Sequence, residues 1–353
     1  MSSTIVPEQS RRSAPAVLAG GNAERRAALV PRLIGWQGLL VQVPDTWDLT
    51  GFSGDDQTGY VRIDDGEEMA VEVKWATEPV PRRKSEAAKT PSVEVRRDSY
   101  FRLLRKSAKK KKMDLAVKET DAPKSALRSE RVATGFTWTA DRKATGVVWY
   151  CETCRRTVIA QVLGSQGGRA GFGTTAEAVL GALRCHGDDP DWRTWALYDL
   201  QTEVPTSYRL ESQELMNVYL RLTFARKTAR LTVEQWALAN VARKQTYLDI
   251  WIASNTKSPE LNGARYTVVE NELHTHPAIR LTGGLAFGLP MLYAGREALR
   301  FQWPATRFGG AAWECEPSNK LFAVSHLRPA RQPALADAVA ERTRCHSGTG
   351  DRK

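Results

Sequence analysis

The chain has 353 residues, 42% of them hydrophobic, with a formal net charge of +11 and five cysteines. No window approaches about eighteen consecutive apolar residues, which excludes a helical membrane span. The apolar stretch Ala14–Ala19 is too short for a signal-peptide core, so a cytoplasmic location is the default expectation. An odd number of cysteines without a secretion signal favours reduced thiols or metal ligands over a disulfide framework. The charge is unevenly spread. Residues 82–131 hold 17 Lys or Arg against 7 Asp or Glu, a local balance of +10, which leaves the rest of the chain near neutrality at about +1. A neutral protein with one cationic segment attracts an anionic partner from that segment.

Residues 1–30 read as a flexible tail. The first expected strand, Leu39–Val43, ends in a Val-Pro turn at Pro44, where a proline does no harm because it cannot donate to a ladder. Tyr60–Ile63 and Ala70–Trp75 alternate in polarity and predict two half-buried strands. A helix is expected over Ser99–Lys112. Its apolar stripe would be Tyr100, Phe101, Leu103, Leu104 and Ala108. The remainder is cationic: Arg102, Arg105, Lys106, Lys109, Lys110, Lys111 and Lys112, and lysines suit the negative end of a helix dipole. Strands are expected between Val147 and Val162, around Trp149-Tyr150-Cys151-Glu152. A last helix, Thr174–Arg184, would be capped by Thr174 or Thr175.

The same pattern then starts again. Trp36 to Pro44 is echoed by Trp195 to Pro205, Tyr60-Val61-Arg62-Ile63 by Tyr219-Leu220-Arg221-Leu222, and Trp149-Tyr150-Cys151-Glu152 by Trp313-Glu314-Cys315-Glu316. Arg184-Cys185-His186 is echoed by Arg344-Cys345-His346, and the offsets stay between 159 and 164. The matches fall on rare residue types and keep their order, so the chain reads as an internal duplication with repeats at 31–186 and 191–346 and a tail at 347–353. Second-repeat strands are expected at Ala196–Leu200, Val218–Phe224, Ala229–Trp236 and between Ala311 and Val324. Helices are expected at Trp236–Ala253, with Leu238, Val241, Leu248 and Trp251 in its stripe, and at Pro333–Arg344. The first repeat carries its extra length as the basic segment, the second as a Gly-rich hairpin around Gly283–Gly310.

The expected fold class is α+β: two tandem repeats, each an antiparallel sheet covered by helices and closed by a C-terminal helix. The early Val-Pro turn, the Gly59-Tyr60-Val61-Arg62 strand and the final strand plus helix ending near Cys185 or Cys345 resemble the Mog1/PsbP-like fold, over residues 31–186 and 191–346. That resemblance implies protein partners.

Chemistry-bearing residues are few. The chain has no phosphate-binding Gly-Lys loop, dinucleotide fingerprint, His-Glu-x-x-His or nucleophile elbow, which predicts a non-enzymatic binding or adaptor protein. Cys151, Cys154, Cys185 and His186 make a ligand set that zinc accepts. The second repeat has Cys315, Cys345 and His346 but only Ser318 or Asn319 near the place of Cys154, which argues against a metal site common to both copies. Buried structural thiols, or a thiol pair bridging strand to helix, are the expectation for Cys315 and Cys345. No cofactor is expected beyond a structural zinc in the first repeat. His274-x-His276, near Glu270 and Glu272, is a further ligand cluster, although a loop before Pro277 is the plainer reading. The expected partner of the basic segment is an acidic protein surface. The alternatives are backbone-directed contact with nucleic acid, or a function built on the Cys/His sets.

Overall fold

The computed structural model describes residues 31–78, 92–167, 171–244, 246–258, 264–285 and 306–346. Both expected tails, the first part of the basic segment (82–91) and the tip of the Gly-rich hairpin (286–305) lie outside them. The first half runs β1 (Arg32–Trp36), β2 (Leu39–Val43), β3 (Asp48–Gly54), β4 (Thr58–Asp64), β5 (Ala70–Thr77), α1 (Val93–Lys111), β6 (Ala116–Thr120), β7 (Arg131–Thr139), β8 (Arg142–Cys151), β9 (Arg156–Ser165) and α2 (Phe172–Ala182). The second half runs β10 (Trp192–Leu197), β11 (Leu200–Pro205), β12 (Arg209–Met216), β13 (Tyr219–Arg226), β14 (Ala229–Ala237), α3 (Ala239–Ala242), α4 (Leu248–Asn255), β15 (Ala264–Leu273), β16 (His276–Leu285), β17 (Arg307–Cys315), β18 (Lys320–Arg328) and α5 (Ala336–Glu341).

The expected α+β class is overturned. The described residues are mostly antiparallel strand, arranged in three sheets rather than two helix-covered ones. Two sheets have seven strands, in the orders β3-β4-β5-β9-β8-β7-β6 and β12-β13-β14-β18-β17-β16-β15; the third is the four-stranded β11-β10-β1-β2. The second seven-stranded sheet thus repeats the strand order of the first, nine strands later.

Two causes account for the departure, one long-range and one local. First, the opening hairpin of each half does not join its own sheet. β1 and β10 pair with each other, with Gly35 opposite Ala196, so both hairpins share one sheet. Second, the helical segments of the second half are shorter than their sequence patterns suggest. Trp236 ends up as strand, paired with Leu321. Leu238 follows at φ 58°, a left-handed backbone that no helix continues, and the expected helix Trp236–Ala253 becomes the short α3 and α4. Its supposed core residues Leu238 and Val241 are exposed. The closing helix expected at Pro333–Arg344 contracts to the six residues of α5. The strand expected at Ala196–Leu200 is broken by Tyr198 at φ 52° and divides into the ends of β10 and β11.

The shared sheet sits on a core that runs through both halves without interruption. Trp36 and Trp195, the opening tryptophans of the two repeats, meet edge to face with ring centroids 5.4 Å apart. Each also packs onto its own half, Trp36 on Phe52 at 4.7 Å and Trp195 on Phe224 at 5.0 Å. Such pairs contribute about 1 kcal/mol beyond the area they bury. The close approach of β1 to β10 leaves little room at Gly35: a Cβ there would lie 3.0 Å from the Ala196 nitrogen and 3.1 Å from the Thr194 oxygen, so the backbones would have to give by a few tenths of an ångström.

Candidate functional site

The Cys/His residues lie at the ends of elements that the fold brings together. Cys151 is the last residue of β8 and Cys315 the last of β17. The segment after each closing helix returns to the second strand of the opening hairpin. Arg184 and Leu40 exchange backbone hydrogen bonds of 2.7 and 2.9 Å, and the Arg344 N–H donates to the Gln201 carbonyl at 2.9 Å. That bridge fixes the next two residues, Cys185-His186 or Cys345-His346, over the strand end that carries the other cysteine.

In the first half, one ligand atom from each of Cys151, Cys154, Cys185 and His186 falls within 4.8 Å of all the others. Cys154 comes from the tight turn between β8 and β9. The His186 Nδ1 lies 3.0 Å from the Gly187 carbonyl, so an Nδ1–H donates there. Nε2 is then the nitrogen with a free lone pair, and it is buried without a hydrogen-bond partner. The three sulfurs perturb one another. Hydrogen bonds from Cys154 and Cys185 hold the Cys151 thiol far below the usual range. The same contacts with Cys151 push Cys154 and Cys185 up, and burial adds to it.

In the second half the group is His276, Cys315, Cys345 and His346, again with ligand atoms within 4.8 Å of one another. The His346 Nδ1 lies 3.2 Å from Cys315 Sγ, 3.3 Å from Cys345 Sγ and 3.4 Å from His276 Nε2. All five cysteines are free thiols, so no strand-to-helix disulfide joins them. Burial, with the neighbouring His346 and His274, depresses the pKa of His276.

Sequence reasoning assembled the first group, and it named His276 as a ligand candidate beside His274 but did not join it to Cys315, Cys345 and His346. The register of His276 explains both its position and why that link was hidden. Ala278 faces Trp313 in the second sheet as Ala133 faces Trp149 in the first. Two residues outward, His276 therefore stands beside Cys315 at the place that Arg131 holds opposite Cys151. One sequence does not display that cross-strand register. The available signal was a histidine at a turn in a half that lacked a fourth ligand. The expected His274-x-His276 cluster is divided: His274 turns at φ 54° and its Nε2 contacts the Ala340 carbonyl at 3.0 Å, while Glu270 and Glu272 lie outside the Cys/His group.

The basic helix α1 begins six residues earlier than expected, at Val93, with Ser92 as its N-cap. Tyr100 and Phe101 pack on Phe136 with centroids 5.5 and 5.8 Å apart, which seats the helix on β7 and β8. Leu103, assigned to the apolar stripe, is instead 65% exposed. Arg97 is buried, and its guanidinium meets Glu119 at 2.8 Å and the Thr134 hydroxyl at 3.0 Å. Arg102, Arg105, Lys106 and Lys109–Lys112 are all exposed. Among the described residues no carboxylate lies within ion-pair distance of these seven, whereas Arg62, Arg96 and Arg97 in the same half are all paired.

No family model and no curated protein matches the chain. Among solved structures it is similar to the Ran-binding protein Mog1p of Saccharomyces cerevisiae, at 11% identity and a TM-score of 0.26, over 40% of this chain and 78% of that one. It is also similar to the apo immunity protein TplEi of the T6SS from Pseudomonas aeruginosa, at 10% identity and a TM-score of 0.31, over 89% of this chain and 96% of that one. Both are distant likenesses of fold. Among the described residues no helix is long and apolar enough to cross a membrane.

Proposed function

We propose that the protein is a non-enzymatic binding protein that engages an acidic protein surface through α1. The observation that carries this reading is the row of seven exposed cations from Arg102 to Lys112, none of them neutralised by a neighbouring carboxylate among the described residues. Such a field raises the encounter rate with an anionic surface and falls off within about 8 Å at physiological ionic strength. The helix itself is firmly held, by Ser92 at its start and by Tyr100 and Phe101 on the sheet, so the charges project from a rigid support. The duplicated sheet order supplies the platform, and the α1 insertion distinguishes one half from the other.

The test is capture from native lysate with the full chain, in parallel with a variant carrying Lys109→Gln, Lys110→Gln and Lys111→Gln. The expected result is a protein partner retained after nuclease treatment, released as salt is raised and lost with the variant. Capture that nuclease abolishes would replace this reading with phosphate contact to nucleic acid. Equal capture by both proteins removes α1 from the function.

A further inference from the structure

The geometry points to two structural zinc centres in this chain: a Cys3His centre formed by Cys151, Cys154, Cys185 and His186, and a Cys2His2 centre formed by His276, Cys315, Cys345 and His346. This inference is independent of the cationic helix. It rests on four observations.

Each group offers four sulfur or imidazole donors and no carboxylate oxygen. That donor set suits zinc and is wrong for magnesium or calcium, which take oxygen ligands. The spacing also fits. Zn–S bonds of about 2.3 Å and Zn–N bonds of about 2.1 Å at tetrahedral angles put sulfur and nitrogen about 3.6 Å apart and two nitrogens about 3.4 Å apart. The second group shows 3.2 and 3.3 Å for the sulfur–nitrogen edges and 3.4 Å for the nitrogen–nitrogen edge.

The third observation is the exchange of the fourth ligand. In the first half the turn position three residues after the strand cysteine is Cys154, and the neighbouring strand contributes Arg131, which points away to the Leu183 carbonyl at 3.1 Å. In the second half the turn position is Ser318, whose hydroxyl contacts the Cys315 carbonyl, and the neighbouring strand contributes His276. One ligand is missing from the turn and another has appeared on the adjacent strand, on the same point. Packing alone gives no reason for a histidine to arrive where a cysteine is absent. A requirement for four ligands does. Finally, the orphaned His186 Nε2 gains a partner if it ligates, with Nδ1–H held on a carbonyl as metal-bound histidines usually are.

Four protein ligands leave no open coordination position, so the centres are structural rather than catalytic. Each ties the tip of a strand hairpin to the segment that follows the closing helix, and through the Leu40–Arg184 or Gln201–Arg344 bridge to the shared sheet.

The experiment is metal analysis of the full chain, purified under reducing conditions without a metal-affinity step and dialysed after incubation with zinc. Two equivalents per chain are expected. Cys154→Ser and His276→Gln should each retain one equivalent, and the double variant close to none. One equivalent or fewer in the wild-type protein overturns the pair, as does a single variant that stays folded by circular dichroism yet keeps both equivalents. Should a variant fail to fold, cobalt titration of the wild-type protein decides the matter. Two successive equivalents are expected, with thiolate-to-cobalt charge-transfer bands stronger for the Cys3His centre; the absence of such bands overturns the proposal.

Discussion

The two halves of the molecule gather their Cys/His groups at the same place but by different routes. In the first half the hairpin turn provides the fourth residue, Cys154. In the second a neighbouring strand provides it, His276, and the turn carries Ser318. The common part is what the fold dictates: a strand-end cysteine and a Cys-His pair delivered by the bridge after the closing helix. The variable part is whichever nearby backbone can reach the same point. A shared sheet order thus preserves the location of a site more strictly than the identity of every residue in it.

The sharpest way to break this comparison is to move the ligand. His276→Arg gives the second half the residue that the first half has at that place, and should lose one of two zinc equivalents. It should destabilise the chain by several kcal/mol, since structural zinc binding contributes on the order of 10 kcal/mol. Adding Ser318→Cys supplies the first-half arrangement and should restore the second equivalent. If the double variant binds no more zinc than His276→Arg alone, the two groups are not interchangeable versions of one centre.

The recurring strand order leaves a trace in the sequence, because rare residues recur in step with it. Trp36 and Trp195, Cys151 and Cys315, and the two Cys-His pairs are hard to match by chance. The strands β2, β4, β5, β13 and β14 were also readable, since alternation survives wherever one face is buried. What the sequence hid was pairing between distant segments. Nothing local to Gly35 announces that it lies against Ala196, or that both opening hairpins leave their sheets for a common one. The overestimated helices have a local cause. Leu238 and Val241 fit a helical stripe, but the left-handed backbone at Leu238 ends the run, and both side chains face solvent.

The join between the halves is tested by Gly35→Val. A branched side chain against the backbone of Thr194 and Ala196 forces β1 and β10 apart and should cost about 3 kcal/mol. Chemical denaturation measures it. A change below 1 kcal/mol would mean that the two strands accommodate the side chain by a small shift and that the join does not depend on the glycine.

A smaller contrast lies deeper in the sheets. Tyr208 and His326 are both buried and joined by a 2.8 Å contact between the hydroxyl and Nε2. The corresponding places in the first half hold Trp47 and Val162, an apolar pair. Burial, with Arg328 nearby, lowers the His326 pKa to about 3. The folded state therefore refuses a proton that the unfolded chain accepts below about 6.5, so this residue's contribution is intact above pH 6.5 and is lost as pH falls toward 3. The loss is about 1.4 kcal/mol per pH unit across that window. The variant Tyr208→Phe/His326→Leu removes the titration while leaving no hydroxyl unpaired. Its stability relative to wild type should rise steadily between pH 6.5 and pH 4; a constant difference would assign the acid sensitivity elsewhere.

The smallest effect on stability is expected where the halves differ most in charge. Lys109→Gln, Lys110→Gln and Lys111→Gln remove three exposed cations from the last turn of α1, where they favour the helix dipole by a few tenths of a kcal/mol each. Total destabilisation should stay near 1 kcal/mol, because Tyr100 and Phe101 hold the helix to the sheet independently of charge. Partner capture, by contrast, should fall at least tenfold at low salt and lose most of its salt dependence. The two readouts pull apart only if the lysines serve a partner. A loss of stability with unchanged capture would make them a helix-ending device and nothing more.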